Sequence, residues 1–317
     1  MLTILDLKPS KYYSWQKRRH LDTQHNGHIP KLHWLLDWEV KEIIKYRHTH
    51  MDEGYRRLTY MMLDENIVAV SPSSVYRVLK RYNLLLTAWR HEKAKGSGFH
   101  QPSKPHRHWH LDISYINYKG TFVFLAALID GYSRFIVHHE IKLSFEALDI
   151  EIMMERAREK YPGEEPVLIT DNGPQFIAKE FGLYLQNVGI THRKTRFYYP
   201  QSNGKIERFF QTCKNEAVRR QSYLSLEDLK RQIDEYIRSY NYIRLHSAIG
   251  YITPNDMLQD RQAAIFDERR EKLKQAQENR KRQRTQLIDF SDPTKIFTRS
   301  EEQSQGRARA FCGRAEG

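Results

Sequence analysis

From His108 to Tyr115 polar and apolar side chains alternate one for one. Trp109, Leu111, Ile113 and Tyr115 fall on one side, and His108, His110, Asp112 and Ser114 on the other. That is the period of a strand with one face buried. Lys119-Gly120 makes a turn, and Thr121 to Ile129 is a nearly unbroken apolar run, as in a strand covered on both faces. Asp130-Gly131-Tyr132-Ser133 turns the chain into a third expected strand over 134–141. Ser144 is the expected cap of a helix to about Lys160, and Val167 to Asp171 reads as a short buried strand. Pro174 opens a helix to Val188, Ile190 to Lys194 forms a fifth strand, and further helices follow over 203–219 and 226–240. This order predicts a mixed five-stranded sheet with flanking helices, an α/β core.

The pattern before this core is purely helical. A short basic helix starts near Pro9-Ser10, another spans Trp34 to Arg47, and Gly54 leads into a third that ends near Leu63. Ser71-Pro72 supplies an N-cap and first helical residue, after which Val75, Val78, Leu79 and Tyr82 recur at helical spacing. Ser73, Ser74, Arg77, Lys80 and Arg81 are left on the outer face. Two short helices, a turn and a basic second helix suit a helix-turn-helix, although a plain helical hairpin has the same pattern. The expected organisation is a helix-turn-helix region over 1–90, a linker over 91–106, the α/β core over 107–260 and a basic, mostly helical tail over 261–317. The last twelve residues read as unstructured.

Charge sharpens this division. The net charge of +13 is confined to the flanks: 18 basic against 10 acidic residues over 1–106, and 14 against 9 over 261–317, while 107–260 holds 20 of each. Within the core, Gly189 to Arg220 carries eight basic residues against Glu207 and Glu216 alone. Basic flanks around a neutral core point to a polyanionic partner, with Lys194, Arg196, Lys205, Arg208 and Lys214 in the core and Arg77, Lys80 and Arg81 before it as candidate DNA contacts. Tyr198-Tyr199 is placed to stack on an unpaired base. No apolar stretch reaches the length of a membrane span or of a signal peptide, so no membrane partner is expected. The two cysteines, Cys213 and Cys312, cannot build a disulfide framework, which fits a reducing compartment.

Three acids carry the candidate chemistry. Asp112 sits mid-strand opposite the apolar face, Asp171 ends an apolar strand at the edge where α/β sheets place their sites, and Glu207 lies in the first turn of a helix. Singly, each has a plain structural explanation: a solvent-facing strand residue, a turn former before Asn172-Gly173, and an acid complementing a helix dipole. Jointly, hard oxygen ligands on adjacent sheet edges suit a pair of Mg²⁺ or Mn²⁺ ions working on a phosphodiester. In the helix after Gly204, Ile206, Phe210, Cys213 and Ala217 form the buried stripe. Lys214, seven residues beyond Glu207, falls within about 20° of it around the axis. Lys214 is therefore expected to meet a phosphate. His106, His108 and His110 alternate along a strand edge of poor metal geometry and are expected to be structural or phosphate-facing. Asp130, followed by Gly131, reads as a turn residue.

The segments His110-Leu111-Asp112, Thr170-Asp171-Asn172-Gly173-Pro174-Gln175-Phe176 and Tyr199-Pro200-Gln201-Ser202-Asn203-Gly204-Lys205-Ile206-Glu207-Arg208 resemble the integrase catalytic core. That core belongs to retroviral integrases and to insertion-sequence transposases of the Asp-Asp-35-Glu type. The resemblance covers about residues 105–258, including Thr253-Pro254-Asn255-Asp256-Met257-Leu258, and Gly54 to Leu85 resembles the helix-turn-helix of second-reading-frame transposases. It implies a ribonuclease-H-like fold and two Mg²⁺ or Mn²⁺ ions held by Asp112, Asp171 and Glu207. The implied activity is cleavage at element ends, followed by attack of the freed 3′-hydroxyl on target DNA. It further implies double-stranded DNA as partner, a homo-oligomer on paired ends, and a cytoplasmic, nucleoid-associated protein. Because the chain opens on what reads as the tail of a helix-turn-helix, an upstream-frame product is an expected further partner. The His-His-Cys-Cys zinc module of retroviral integrases has no counterpart here. Two rival readings are a DNA-binding regulator without catalysis, which would not need all three acids, and a ribonuclease-H-fold nuclease.

Overall fold

The computed structural model describes residues 9–17, 34–86, 101–195, 203–220 and 222–291. Before the sheet come α1 (Pro9–Lys17), α2 (Asp37–Thr49), α3 (Tyr55–Asp64) and α4 (Pro72–Arg81). The core follows as β1 (His108–Tyr118), β2 (Thr121–Asp130), β3 (Ile136–Lys142), α5 (Ala147–Lys160) and β4 (Val167–Thr170). It continues through α6 (Pro174–Ile177), α7 (Lys179–Asn187), β5 (His192–Lys194), α8 (Gly204–Glu216) and α9 (Leu226–Tyr242). The last elements are α10 (Pro254–Leu258) and α11 (Gln262–Ser291).

The five strands form one sheet in the order β3-β2-β1-β4-β5. β1, β2 and β3 form an antiparallel meander, and β4 and β5 run parallel to β1. Order and polarity make this the expected ribonuclease-H-like sheet. Its two faces carry separate cores, as strand alternation requires. Trp109, Leu111, Ala126 and Leu128 pack with Ile150, Met153 and Met154 of α5 and with Phe176, Phe181 and Leu185 of α6 and α7. On the opposite face Val123, Leu125, Ala127 and Ile129 pack with Ile206, Phe209, Phe210 and Cys213 of α8 and with Leu229, Ile233 and Ile237 of α9.

Local differences from the sequence reading have local causes. α5 starts two residues later than a Ser144 cap implies, because the Asp149 carboxylate accepts from the Glu146 amide at 2.9 Å and fixes the start there. The helix expected from Pro174 to Val188 breaks at Ala178, whose extended backbone (φ −54°, ψ 138°) separates α6 from α7. Ser71 does cap α4, its hydroxyl accepting from the Ser74 amide at 3.3 Å, and Val75, Val78 and Leu79 are buried. Tyr82 ends outside that helix and is exposed, because the last turn closes on it as C-cap.

The chain divides into two compact units, residues 42–273 and residues 1–41 with 274–317. The larger unit holds α3 and α4 together with the whole sheet. In the smaller one Glu39 is buried and receives the Arg280 guanidinium at 2.8–2.9 Å and the Leu36 amide at 2.7 Å, a buried charge met by a forked cation.

Candidate active site

Sheet register brings the first two acids together. β1 and β4 pair in parallel up to His110↔Ile169, and Asp112 and Asp171 each lie two residues farther along. They therefore come off neighbouring strands at the same level, close enough for the Asp171 charge to act on Asp112. The alternation also puts them on the face covered by α8.

Each is held by its own loop or strand. The Asp171 carboxylate accepts the Gly173 amide at 2.9 Å, an Asx turn that aims its free oxygen away from the strand. A Cβ on Gly173 would lie 3.1 Å from Oδ1, the oxygen that accepts the Gly173 amide, so a larger residue there would press on the turn. Asn172 Nδ2 donates to the Thr195 carbonyl at 2.9 Å, and the Thr195 amide donates to the Thr170 carbonyl at 2.9 Å, tying the turn to the end of β5. Phe176, buried in the core, anchors its far end. These contacts explain the physical work of the whole Thr170–Phe176 segment.

Glu207 comes from the other side of the sheet face. The buried side chains Ile206, Phe209, Phe210 and Cys213 clamp α8 onto β1 and β2, leaving Glu207 exposed in the first turn. Burial raises the Asp112 pKa to about 7, offset by a 2.7 Å bond from its neighbouring Ile113 amide and reinforced by the charges of Asp171 and Glu207. Glu207 is likewise raised, first by burial and then by Asp171. Three carboxylates thus share one field. Among the described residues, no three His, Cys, Asp or Glu side chains form a closed ligand group as they stand.

Lys214 supplies a cation to the same face. Its Nζ lies 4.5 Å from the centre of the Tyr115 ring, and partial burial lowers its pKa while the Asp112 charge raises it.

Other expected site residues are placed differently. Lys205 turns inward: its Nζ donates to the Gly131 carbonyl at 2.9 Å, and burial, with Arg134 nearby, pulls its pKa down to about 7. Arg208 is exposed and donates to Gln211 at 3.1 Å, and Lys194 and Arg193 are exposed on β5. Arg196, Tyr198, Tyr199 and the segment Pro200–Ser202 lie outside the described residues, as do Cys312 and the last twelve residues. On α4, Arg77, Lys80 and Arg81 are all exposed, with Arg77 Nε donating back to the Ser73 carbonyl at 3.1 Å.

The histidines are interior. His106 accepts from Trp109 Nε1 at 3.1 Å, and His110, fully buried between Asp112 and the Asp130 turn, is held neutral by burial with a pKa of about 3. Asp130 is the acid whose full role the sequence reading did not anticipate. Wholly buried, it accepts from the His106 amide at 2.9 Å and from the Ser133 amide and hydroxyl at 2.7 and 2.6 Å. It fixes the β2–β3 turn and the entry into β1 together. Equally unforeseen is Glu216 at the end of α8, which receives a two-pronged contact from Arg244 at 2.6 and 2.8 Å and a Tyr236 hydroxyl at 3.2 Å. The spacing of 28 residues between Glu216 and Arg244 gives no sequence signal for that pair.

Two family models, both for the integrase core domain, match residues 102–200 and 188–254. They enclose all three acids and the turn between β4 and α6. Residues 102–254 thus match the integrase core domain, and the relatives similar to this chain are insertion-sequence transposases. It is 26% identical over 179 residues to the transposase for insertion element IS904 of Lactococcus lactis, covering 53% of this chain and 71% of that relative. To the transposase for IS629 of Shigella sonnei it is 22% identical over 262 residues, covering 79% and 87%. The catalytic core domain of BIV integrase, a solved structure, is 21% identical with a TM-score of 0.39, covering 51% of this chain and 99% of that one. Among the described residues, no helix is long and apolar enough to cross a membrane.

Proposed function

We propose that this DNA transposase cuts a phosphodiester at the ends of its element and joins the freed 3′-hydroxyl to target DNA, with Asp112, Asp171 and Glu207 as the catalytic metal ligands. The observation that carries this reading is the shared field of the three carboxylates. Burial and mutual repulsion push Asp112 to about 7, a cost that a bound cation relieves. The donor set is all oxygen, which fits two Mg²⁺ or Mn²⁺ ions. Bound there, such ions supply activation of the attacking oxygen and stabilisation of the leaving one.

The chain's own residues do the remaining work. Asp171, restrained by the Asx turn, and Asp112, fixed in the sheet, form a rigid half of the site, while Glu207 closes it from α8. Lys214 meets the DNA backbone beside the acids, and Arg208 and Lys194 extend that basic surface, with Arg196 following Lys194 in sequence. Lys205 serves the interior instead, bracing the start of α8 against the β2–β3 turn. Arg77, Lys80 and Arg81 on α4 read the element ends as the second helix of a helix-turn-helix. Double-stranded DNA is the partner, and paired ends bring copies of the chain together.

The test is strand transfer with flanking element DNA, run with Mg²⁺ and with EDTA. Joining is expected only with the metal. Asp112→Asn, Asp171→Asn and Glu207→Gln should each reduce it at least a thousandfold while gel-shift affinity for the ends stays within about threefold. Joining by any one of these variants at near wild-type rate removes that residue from the site.

A further inference from the structure

On the larger unit, away from the acids, α3, the start of α4 and the segment after Gly250 enclose a cavity of about 510 Å³ lined by Tyr55, Arg56, Tyr60, Ser73, Tyr76 and Tyr251. Its size is that of a ligand pocket rather than a packing flaw. Four of its walls are tyrosine rings. Tyr60 and Tyr251 lie nearly parallel, 5.0 Å apart with 19° between planes, and Tyr55 and Tyr76 lie 5.3 Å apart at 58°. The Arg56 guanidinium sits against the Tyr55 ring at 5.7 Å, its Nε donating to the Tyr55 hydroxyl at 3.1 Å. No carboxylate lines the cavity.

The aromatic wall is braced from behind. Buried Arg269 places its guanidinium 4.7 Å from the centre of the Tyr60 ring and pairs with both oxygens of Asp64 at 2.6 and 2.7 Å. The same group donates to the carbonyls of Gly250 at 3.3 Å and Tyr251 at 2.7 Å. Tyr251 is held in the left-handed region, φ 59°, a conformation unfavourable for a tyrosine and kept only where its surroundings impose it. Gly250 beside it, at φ 82°, disfavours a side chain, and a Cβ there would lie 2.6 Å from Phe266 Cζ and displace that ring. A cluster of hydroxylated rings kept rigid and open, with Tyr76 exposed on the surface that carries Arg77 and Lys80, is not explained by core packing.

We propose that this pocket receives an unpaired nucleobase of the bound DNA, stacked on the tyrosine rings with its phosphate against Arg56; this rests on the proposed DNA-joining function. Every base has a face to stack, so the rings supply affinity without selecting sequence, and the absence of acids leaves the phosphate unopposed. The pocket would hold a single-stranded overhang or an extruded base while the outer face of α4 holds duplex.

The full-length chain in EDTA is titrated with a blunt duplex and with the same duplex bearing a five-thymine 3′ overhang. Wild type should prefer the overhang. Tyr76→Ala should weaken overhang binding about tenfold, the effect of losing one stacked base, and blunt-duplex binding less than twofold; Tyr76→Phe should retain both. Arg56→Ala should reduce the salt dependence of overhang binding by about 0.7 in the log–log slope. With 5-iodouracil in the overhang, photocrosslinks should map to Tyr55, Tyr60, Tyr76 or Tyr251, and thermal melting should show the variants folded. Equal loss on both DNAs, or crosslinks only elsewhere, overturns the pocket while leaving duplex binding and joining intact. Failure of joining in Mg²⁺ with the overhang preference preserved would instead sink the catalytic reading alone, and no DNA binding of any kind would sink both.

Discussion

Asp130 and Asp112 lie on paired strands of one sheet, and they are opposite cases of a buried acid. Asp130 is wholly buried, and its two oxygens receive three donors at 2.6–2.9 Å. Asp112, less deeply placed, receives only the amide of its own neighbour and faces two further carboxylates across the α8 side of the sheet. Burial with full hydrogen bonding is structural: the carboxylate organises the turn it sits in. Burial with repulsion is retained at a cost in stability, the pattern by which perturbed acids mark candidate functional sites. The number of donors around an acid separates the two roles better than its burial does.

The largest effect expected from this comparison is an inversion of stability between the two positions. Asp130→Ala leaves two buried backbone amides and a hydroxyl without their acceptor and should destabilise the chain by about 3 kcal/mol. Asp112→Asn removes a repelled charge while keeping the shape, so it should leave the melting temperature in EDTA unchanged or raised. Thermal melts of both variants decide the matter. A large loss of stability in Asp112→Asn would make that acid structural as well.

Sequence alone made much of this site legible, because its signals are local. Period-two alternation placed Asp112 on a strand face, an apolar run ending in Asp-Asn-Gly-Pro placed Asp171 at a strand end, and helical spacing put Glu207 and Lys214 side by side. What escaped depends on residues distant in the chain. Nothing near Lys205 says that the Gly131 carbonyl will receive it, and nothing near Tyr60 says that Tyr251 will lie parallel to it. The number of strands and their mixed sheet followed from the sequence of elements, whereas the break at Ala178 follows from a single backbone torsion that no periodicity encodes. Contacts to groups far along the chain are settled by tertiary packing, which overrides local preference.

A smaller effect is the pH dependence of the metal-free chain. Asp112 titrates at about 7 in the folded chain against an ordinary value of 3.8. Below about pH 4 it is protonated in both folded and unfolded chains and costs nothing. Between about pH 4 and 7 the unfolded chain gives up this proton while the folded chain keeps it, so stability falls across that window and levels off once both are ionised. Other groups also titrate across this range, buried histidines and Lys205 among them, so the informative quantity is the difference between Asp112→Asn and wild type. The melting temperature of the variant relative to wild type should climb from pH 5 to about pH 8 and then level off. A saturating divalent cation should shrink that difference by stabilising wild type alone. A difference that is flat with pH would mean that Asp112 is not repelled, and the contrast with Asp130 would fail.

The finest test turns on the two lysines of α8, which repeat the contrast with opposite charge. Lys205 is satisfied inside the fold by the Gly131 carbonyl, whereas Lys214 rests on the Tyr115 ring with Asp112 as its nearby counter-charge. A cation placed that way keeps donors free for a phosphate, since a ring face takes up none of them in a directed bond. Lys214→Ala should therefore weaken binding to element ends and lower the slope of log affinity against log salt by about 0.9, the effect of one lost phosphate contact on duplex DNA. Lys214→Arg should keep the slope, because either head group meets a phosphate as a cation, while joining falls if the larger fork displaces the acids. Lys205→Met should leave the salt slope unchanged and lower the melting temperature through the unmet carbonyl. An unchanged slope in Lys214→Ala would make it a solvated helix lysine and end the claim that this face of α8 carries DNA, with the three acids left to stand on the strand-transfer result.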